Sequence, residues 1–236
     1  MSFYKNYKGR KCVIGYSFKG RAIVAFHVGS PFGRQYISTY AIHGREWITA
    51  RLGIRHVKNP TEEGGWIIPL VNPDGALISQ TKYPMWKANA RGVDLNVNFD
   101  ADWGSGRLNT RVRGASDCIG DAPFSESESL ALANFTAKIR PYVTFSFHTK
   151  GGEIYWEFNG RGDEGGARIL AQSTGYAVKK IVGSAGGYKD WCIQKLGIPA
   201  YTIECGAGSL SHPITRLSAL KNCYNILQYF TSNYEK

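Results

Sequence analysis

The sequence has few histidines and no long apolar run, and both shortages narrow the functions that it can encode. Only five histidines occur among 236 residues, so a histidine-based metal site has few candidate ligands. No run approaches the roughly 18 apolar residues that a membrane-spanning helix needs, so no membrane span is expected. Segment 1–18 has charges and tyrosines but no apolar core. The sequence therefore predicts no signal peptide and a cytoplasmic starting location.

Several motifs of other enzyme classes are also missing. The five cysteines are odd in number and contain no CxxC pair, which argues against a disulfide framework and against a cysteine zinc cluster. They are expected to be mostly buried, reduced residues. Neither a GxxxxGK[ST] loop nor a GxSxG elbow occurs, so nucleotide binding and serine hydrolysis have little support.

Acidic residues are scarce relative to basic ones. Lysine and arginine total 29 against 18 acidic residues, a formal charge of +11. A basic surface attracts anionic partners, such as nucleic acid or an anionic cell-wall polymer, although it also serves general solubility. The positive residues are spread along the chain and no nucleic-acid-binding motif is present, so no nucleic-acid partner is expected.

The apolar pattern predicts alternating strands and helices, which indicates an α/β layered domain. Predicted strands cover residues 22–29, 35–42, 65–71, 142–149 and 199–205. Predicted helices cover 45–58, a segment from Ser125 to before Pro141 with a capping box of Ser125 and Glu128, 165–181, and 215–230. Residues 72–121 are predicted to be a long loop-rich stretch, which is usually functional in a compact domain.

Metal-binding residue types follow three of the predicted strands. His43 and Glu46 come just after strand 35–42, His148 ends strand 142–149, and Glu204 ends strand 199–205. In an open α/β sheet, ligands gather beyond the carboxyl ends of the strands, and a catalytic zinc takes about three protein ligands. Taken alone, HxxE is more often a surface turn, and a histidine in a strand is more often a hydrogen-bonded core residue. The combination is much more specific.

The sequence resembles the zinc carboxypeptidase family from about residue 14 to the C-terminus. The resemblance is carried, in order, by these segments: IGYSFKGRAI, HGREWITA, NPDG, NARGVDLNVNF, FSESES, FHT, SAGGYKDW and TIECG. It implies a single catalytic domain over residues 1–236, with a three-layer α/β/α fold around a mixed, mostly eight-stranded twisted sheet.

The resemblance also implies a site and a reaction. His43, Glu46 and His148 match the ligands of one Zn²⁺ per chain, and Glu204 matches the general base that handles the proton of a zinc-activated water. Arg91 matches the arginine that polarises the scissile carbonyl, and Asn96 matches an asparagine that helps to hold a substrate carboxylate.

Three positions depart from the pattern of the digestive members of the family. Val97 replaces the arginine that clamps a free C-terminal carboxylate. Val182 falls at the position of the mobile active-site tyrosine, and nearby Tyr188 could take its place. Lys189 falls at the position that sets side-chain preference, where it would favour an acidic group on the substrate; a solvated surface lysine is the alternative.

These departures favour the bacterial branch that resembles γ-D-glutamyl-meso-diaminopimelate peptidases, with peptidoglycan stem peptides or muropeptides as substrates. Two alternatives stay open: an ordinary zinc carboxypeptidase acting on peptide C-termini, and a non-catalytic cell-wall-binding module. Action on the wall would need non-classical release or a sporulating cell. Asp94 and Asp100 could support a ligand histidine or a loop, and Glu153 and Tyr155 could line the cleft.

Overall fold

A mixed sheet forms the centre of the computed structural model, which describes residues 2–235. The strands are β1 Lys11–Tyr16, β2 Ala22–Val28, β3 Gln35–Tyr40, β4 Gly64–Ile68, β5 Val143–His148, β6 Glu153–Tyr155, β7 Glu157–Phe158, β8 Arg161–Gly162, β9 Ala177–Lys179 and β10 Ala200–Glu204. The α-helices are α1 Ser2–Asn6, α2 Ile48–Lys58, α3 Pro73–Thr81, α4 Ser127–Ile139, α5 Glu164–Thr174, α6 Tyr188–Leu196 and α7 Ile226–Asn233. Short 3-10 turns cover Gly44–Glu46, Leu95–Val97 and Leu217–Cys223.

The sheet has eight strands in the order β1-β2-β4-β3-β5-β10-β6-β9, and β7 pairs separately with β8. Strands β4, β3, β5 and β10 run parallel to one another at the centre, whereas β1, β2 and β6 pair antiparallel with their inner neighbours. Every residue of β5 is buried, which is what a strand covered on both faces requires. The parallel strands β3, β5 and β10 therefore end at one edge of the sheet, side by side.

Helices cover both faces of the sheet and close two hydrophobic cores. On one face, α2, α5 and α7 pack their apolar residues, such as Leu52, Leu170 and Phe230, against β2, β3, β5 and β10. On the other face, α4 and α6 contribute residues such as Leu132 and Trp191. The predicted three-layer α/β/α architecture with an eight-stranded sheet is confirmed.

Several predicted element boundaries are wrong. The helix predicted over 165–181 ends at Thr174, because Gly175 adopts a left-handed conformation (φ 73°) and the chain then enters edge strand β9. Helix α4 begins at Ser127 with Glu126 at its N-cap, so the capping box of Ser125 and Glu128 does not form. The Ser125 hydroxyl instead donates to Glu126.

The stretch 72–121 is also more ordered than predicted. Asn72 accepts a hydrogen bond from the Gly75 amide at 2.8 Å and Pro73 occupies the first turn, so NPDG begins helix α3. The tail predicted as one helix over 215–230 is divided into the 3-10 turn Leu217–Cys223 and α7. Among the described residues no helix has the length and apolarity to cross a membrane.

Candidate metal centre

The turn after β3 holds His43 and Glu46 in fixed positions. Ala41 has a positive φ of 51°, and its amide donates to the Thr49 hydroxyl at 2.8 Å. That hydroxyl in turn donates to the Glu46 carbonyl at 2.9 Å, so the first turn of α2 is tied back to the strand. At Gly44 a Cβ would lie 2.5 Å from the Gly75 carbonyl oxygen, so only glycine fits between the two candidate ligands.

His148 meets this turn from the end of β5. The His148 Nδ1 lies 3.3 Å from the His43 Nδ1 and 3.1 Å from the Glu46 Oε2. The other carboxylate oxygen of Glu46 lies 2.9 Å from the His43 Nδ1. All three side chains are buried, and their ligand atoms lie within 4.8 Å of one another. The three residues that the sequence predicts as ligands are therefore brought together.

The spacing of these donor atoms suits a tetrahedral zinc ion. With Zn–N distances of roughly 2.0–2.1 Å, two nitrogens of a tetrahedral site lie about 3.3 Å apart. The two Nδ1 atoms are 3.3 Å apart in the structure. Two imidazole nitrogens and a carboxylate are also donors that zinc accepts. The residues present thus fit one divalent ion and leave a coordination position for water or substrate.

A second set of polar groups orients both imidazoles. The His43 Nε2 lies 3.1 Å from Asp94 Oδ1, and Asp94 Oδ2 pairs with Lys87 Nζ at 2.6 Å. The His148 Nε2 lies 3.0 Å from the Ser146 hydroxyl. In metal sites such partners fix the tautomer and the direction of a ligand histidine. Asp94 thus contacts a candidate ligand histidine, as in one of its two predicted roles, whereas Asp100 pairs with surface Lys195 at 3.2 Å.

The charges of this cluster shift the pKa values of its members. Although burial opposes the charged form, the carboxylates of Glu46 and Asp94 raise the pKa of His43 to about 9. The pKa of Glu46 is lowered despite its burial, because both histidines face its carboxylate. Burial lowers the pKa of His148. The cluster therefore stabilises positive charge at its centre, where a cation would bind.

Glu204 ends β10 directly beside His148, to which it is paired in the parallel register of β5 and β10. Burial, and then the negative charge of Glu46, raise the pKa of Glu204 to about 8. A bound divalent cation would oppose this shift by its own charge. A carboxylate with a pKa near neutrality is suited to accept and return a proton.

A cavity of about 80 Å³ opens beside Glu204, and its walls include Asn96, Lys189, Asp190 and Tyr155. The Asn96 Oδ1 accepts a hydrogen bond from the Tyr188 amide at 3.1 Å, which orients the side chain. The Tyr155 hydroxyl donates to the Glu153 carboxylate. Asn96 and Tyr155 thus lie at the cavity where the sequence predicts them.

Lys189 is only 5% exposed, so the alternative of a solvated surface lysine is wrong. Its Nζ donates to Asp190 at 2.5 Å and to the Glu157 carbonyl at 2.6 Å. The lysine reaches the cavity as half of an ion pair, which weakens its attraction for an acidic group. The ammonium and the carboxylate together present a zwitterionic wall.

Two predicted substrate-binding or catalytic residues lie outside this cavity. Tyr188 is fully buried and its hydroxyl shares a hydrogen bond of 2.9 Å with Thr136, so its phenol points into the core, which does not fit the predicted contact with substrate. The aromatic residues around α6 pack against the ring in the core. Val182, the position that the sequence analysis assigns to the mobile tyrosine, is 84% exposed.

Arg91 is held away from the cavity walls by two carboxylates. Its Nη2 pairs with Asp121 at 3.1 Å and its Nε with Glu126 at 3.5 Å, on the loop that leads to Asp94. About a third of the side chain is exposed. Lys87 and Ser146 were not among the predicted site residues. Ser146 could have been inferred, because residues i and i+2 of a strand share a face.

The site has the features of a zinc-dependent hydrolase: strand ends that hold two histidines and a glutamate, with another glutamate beside them. The chain belongs to the zinc carboxypeptidase family, whose pattern matches residues 5–168. Zinc is the metal of that family, and the enzymes in it are metallopeptidases.

Three relatives illustrate the range of this similarity. The chain is 31% identical over 178 residues to gamma-D-glutamyl-L-diamino acid endopeptidase 1 of Lysinibacillus sphaericus, covering 65% of this chain and 45% of that protein. It is 29% identical over 237 residues to carboxypeptidase B of Rattus norvegicus, covering 81% of this chain and 57% of that protein. Bovine thrombin-activatable fibrinolysis inhibitor has the same fold, with a TM-score of 0.86 at 21% identity over 98% of this chain and 91% of that one. The match to the endopeptidase thus spans less than half of its length.

Proposed function

We propose that this protein is a zinc peptidase that hydrolyses bacterial peptidoglycan stem peptides at the γ-D-glutamyl–meso-diaminopimelate bond. The observation that carries the proposal is the placement of Glu204 in a cavity directly beside the cluster of His43, Glu46 and His148. The similarity to the gamma-D-glutamyl-L-diamino acid endopeptidase supports the substrate class.

His43, Glu46 and His148 would hold the zinc ion. When bound, zinc lowers the pKa of water to about 7 and polarises a carbonyl oxygen. Glu204 accepts a proton on its carboxylate and returns it to the leaving amine. Arg91 is assigned the stabilisation of negative charge on the carbonyl oxygen, a role that requires it to leave its ion pairs with Asp121 and Glu126. Asn96 orients a carboxylate or amide of the substrate from the cavity wall.

The cavity favours a stem peptide over a plain peptide C-terminus. Val97, which follows the cavity residue Asn96 in the chain, offers no charge to a terminal carboxylate. The cavity wall of Lys189 and Asp190 presents both charges. The far end of meso-diaminopimelate carries an ammonium and a carboxylate, which this pair complements. The net charge of +11 attracts anionic wall fragments over longer distances.

An experiment with defined substrates tests the proposal. The zinc-loaded protein is incubated with tri-, tetra- and pentapeptide stems and with N-acyl dipeptides, and the products are identified by mass. We expect a product cut after γ-D-glutamate. Efficient cleavage of the dipeptides without cleavage of the stems would support the runner-up, an ordinary zinc carboxypeptidase, which the similarity to carboxypeptidase B favours.

The matched variant is Glu204→Gln, which keeps the shape of the side chain and removes its basicity. We expect it to retain one zinc per chain and to lose nearly all turnover, by a factor of at least about 10². A variant that cleaved the stems at close to the wild-type rate would refute the assigned role. Purified protein that took up no stoichiometric zinc would instead favour a non-catalytic wall-binding module.

A further inference from the structure

A second cavity adjoins the one at Glu204. It has a volume of about 220 Å³, and its walls include Val97, Arg107 and Asp117. Ile181 and Ser184 line both cavities, so the two share a wall. The two cavities therefore lie next to each other along the segment from Ile181 to Ser184.

Arg107 is the residue of this second cavity whose charge is not compensated. Within residues 2–235, its guanidinium makes no hydrogen bond or ion pair, whereas Asp117, the acidic residue of the same walls, pairs with Lys87 at 3.2 Å. Lys189 in the first cavity is likewise neutralised, by Asp190. Of the two basic residues that line these neighbouring cavities, Lys189 and Arg107, only Arg107 therefore offers an anionic group an unpaired charge within the described residues.

The backbone holds Arg107 against the shared wall. Its amide donates to the Gly183 carbonyl at 2.9 Å. Gly183 has a φ of +78°, and a Cβ there would lie 3.4 Å from the Arg107 Cβ and 3.8 Å from its Nε. The arginine side chain therefore passes Gly183, where the wall carries no side chain of its own, and it lines the cavity from an exposed position.

We propose that Arg107 binds a substrate carboxylate that lies beyond the portion held in the Glu204 cavity. A guanidinium pairs with a carboxylate through two parallel hydrogen bonds, which gives orientation as well as affinity. The inference rests on the proposed function, because stem peptides carry free carboxylates on diaminopimelate and on the terminal D-alanine. Arg107 thus sets specificity for substrates that are acidic at this distance.

The test measures binding separately from turnover. A stem tetrapeptide, and the same peptide with its diaminopimelate and terminal carboxylates amidated, are titrated calorimetrically into zinc-loaded Glu204→Gln protein, with and without Arg107→Gln. We expect Arg107→Gln to weaken binding of the acidic peptide about 10-fold and to leave the amidated peptide unchanged. Arg107→Lys should recover part of the loss. In the otherwise wild-type enzyme, the same change should raise KM and spare kcat.

Arg140→Gln is the control, because Arg140 is exposed and precedes β5, at the sheet edge opposite the site. Equal affinity losses for Arg107→Gln and Arg140→Gln, or equal losses for both peptides, would overturn the inference and leave the proposed function intact. An Arg107-dependent loss of binding in a protein whose wild type cleaves no stem would support the carboxylate site and refute the proposed function. Absence of any binding to either peptide would overturn both.

Discussion

Asp94→Asn is expected to weaken zinc binding without removing a ligand. Asp94 contacts the His43 Nε2 at 3.1 Å and the Lys87 Nζ at 2.6 Å, and it is fully buried. Despite that burial, Lys87 and His43 hold the pKa of the Asp94 carboxyl well below its usual range, so it is charged at neutral pH. Asparagine has nearly the same shape, but it carries no charge and cannot make the His43 nitrogen as basic.

The magnitude follows from this loss of an oriented, charged partner. Mutation of such a partner typically costs 10–100-fold in metal affinity, which corresponds to about 1.4–2.7 kcal/mol. We place the loss of affinity at the upper end of this range, because the contact is buried and because the substitution leaves Lys87 with Asp117 as its remaining acidic partner, at 3.2 Å. The zinc Kd is measured by competition with a chelator of known affinity at fixed pH.

Asp100→Asn is the matched control, since the Asp100 side chain is about half exposed and pairs with Lys195 at the surface. We expect no change in zinc affinity for this variant. Circular dichroism of both metal-free variants checks that the fold is retained. A zinc affinity for folded Asp94→Asn within twofold of the wild type would refute the reasoning that Asp94 supports the metal site through His43.

Two further predictions concern stability. Burial lowers the pKa of His56 to about 4, whereas its pKa in the unfolded chain is about 6.5. The unfolded chain therefore binds more protons than the native protein between these two pH values. The free energy of unfolding should fall by up to about 3 kcal/mol as the pH drops from 6.5 to 4. Urea unfolding at a series of pH values should show a shallower acid slope for His56→Gln, and an unchanged slope would contradict the assignment. Gly65→Ala should destabilise the protein by about 1–3 kcal/mol, because its Cβ would lie 2.2 Å from the buried Tyr36 ring. Gly208→Ala, where the nearest atom is 3.9 Å away, should have little effect in the same denaturation assay.

The sequence predicted the convergence of the candidate ligands well, because they sit at or just after the ends of strongly apolar strands. Strand runs such as 142–149 are rich in β-branched and aromatic residues, and a donor at a strand end is placed by the sheet itself. His43, Glu46 and His148 therefore converge as the pattern indicated. The boundaries of the weaker elements were less predictable, since edge strand β9 has only three residues and carries little pattern.

Side-chain direction in the cavity was harder to predict than backbone position. Tyr188 and Lys189 are consecutive residues at the start of α6, yet the Tyr188 phenol enters the core and the Lys189 side chain reaches the cavity. Which of them faces the cavity depends on how α6 packs against the sheet. Ion pairs such as that of Lys189 with Asp190 likewise depend on rotamers, which are set by packing and not by spacing in the chain.

The candidate zinc ligands come from two distant parts of the chain, the turn after β3 and the end of β5, and this has a consequence for folding kinetics. His43 and Glu46 approach His148 only after β3 and β5 have paired, so an unfolded chain offers no intact site. Zinc should therefore bind after the folding transition state has been passed. It should slow unfolding, which lengthens the lifetime of the native protein, and leave the rate of refolding largely unchanged.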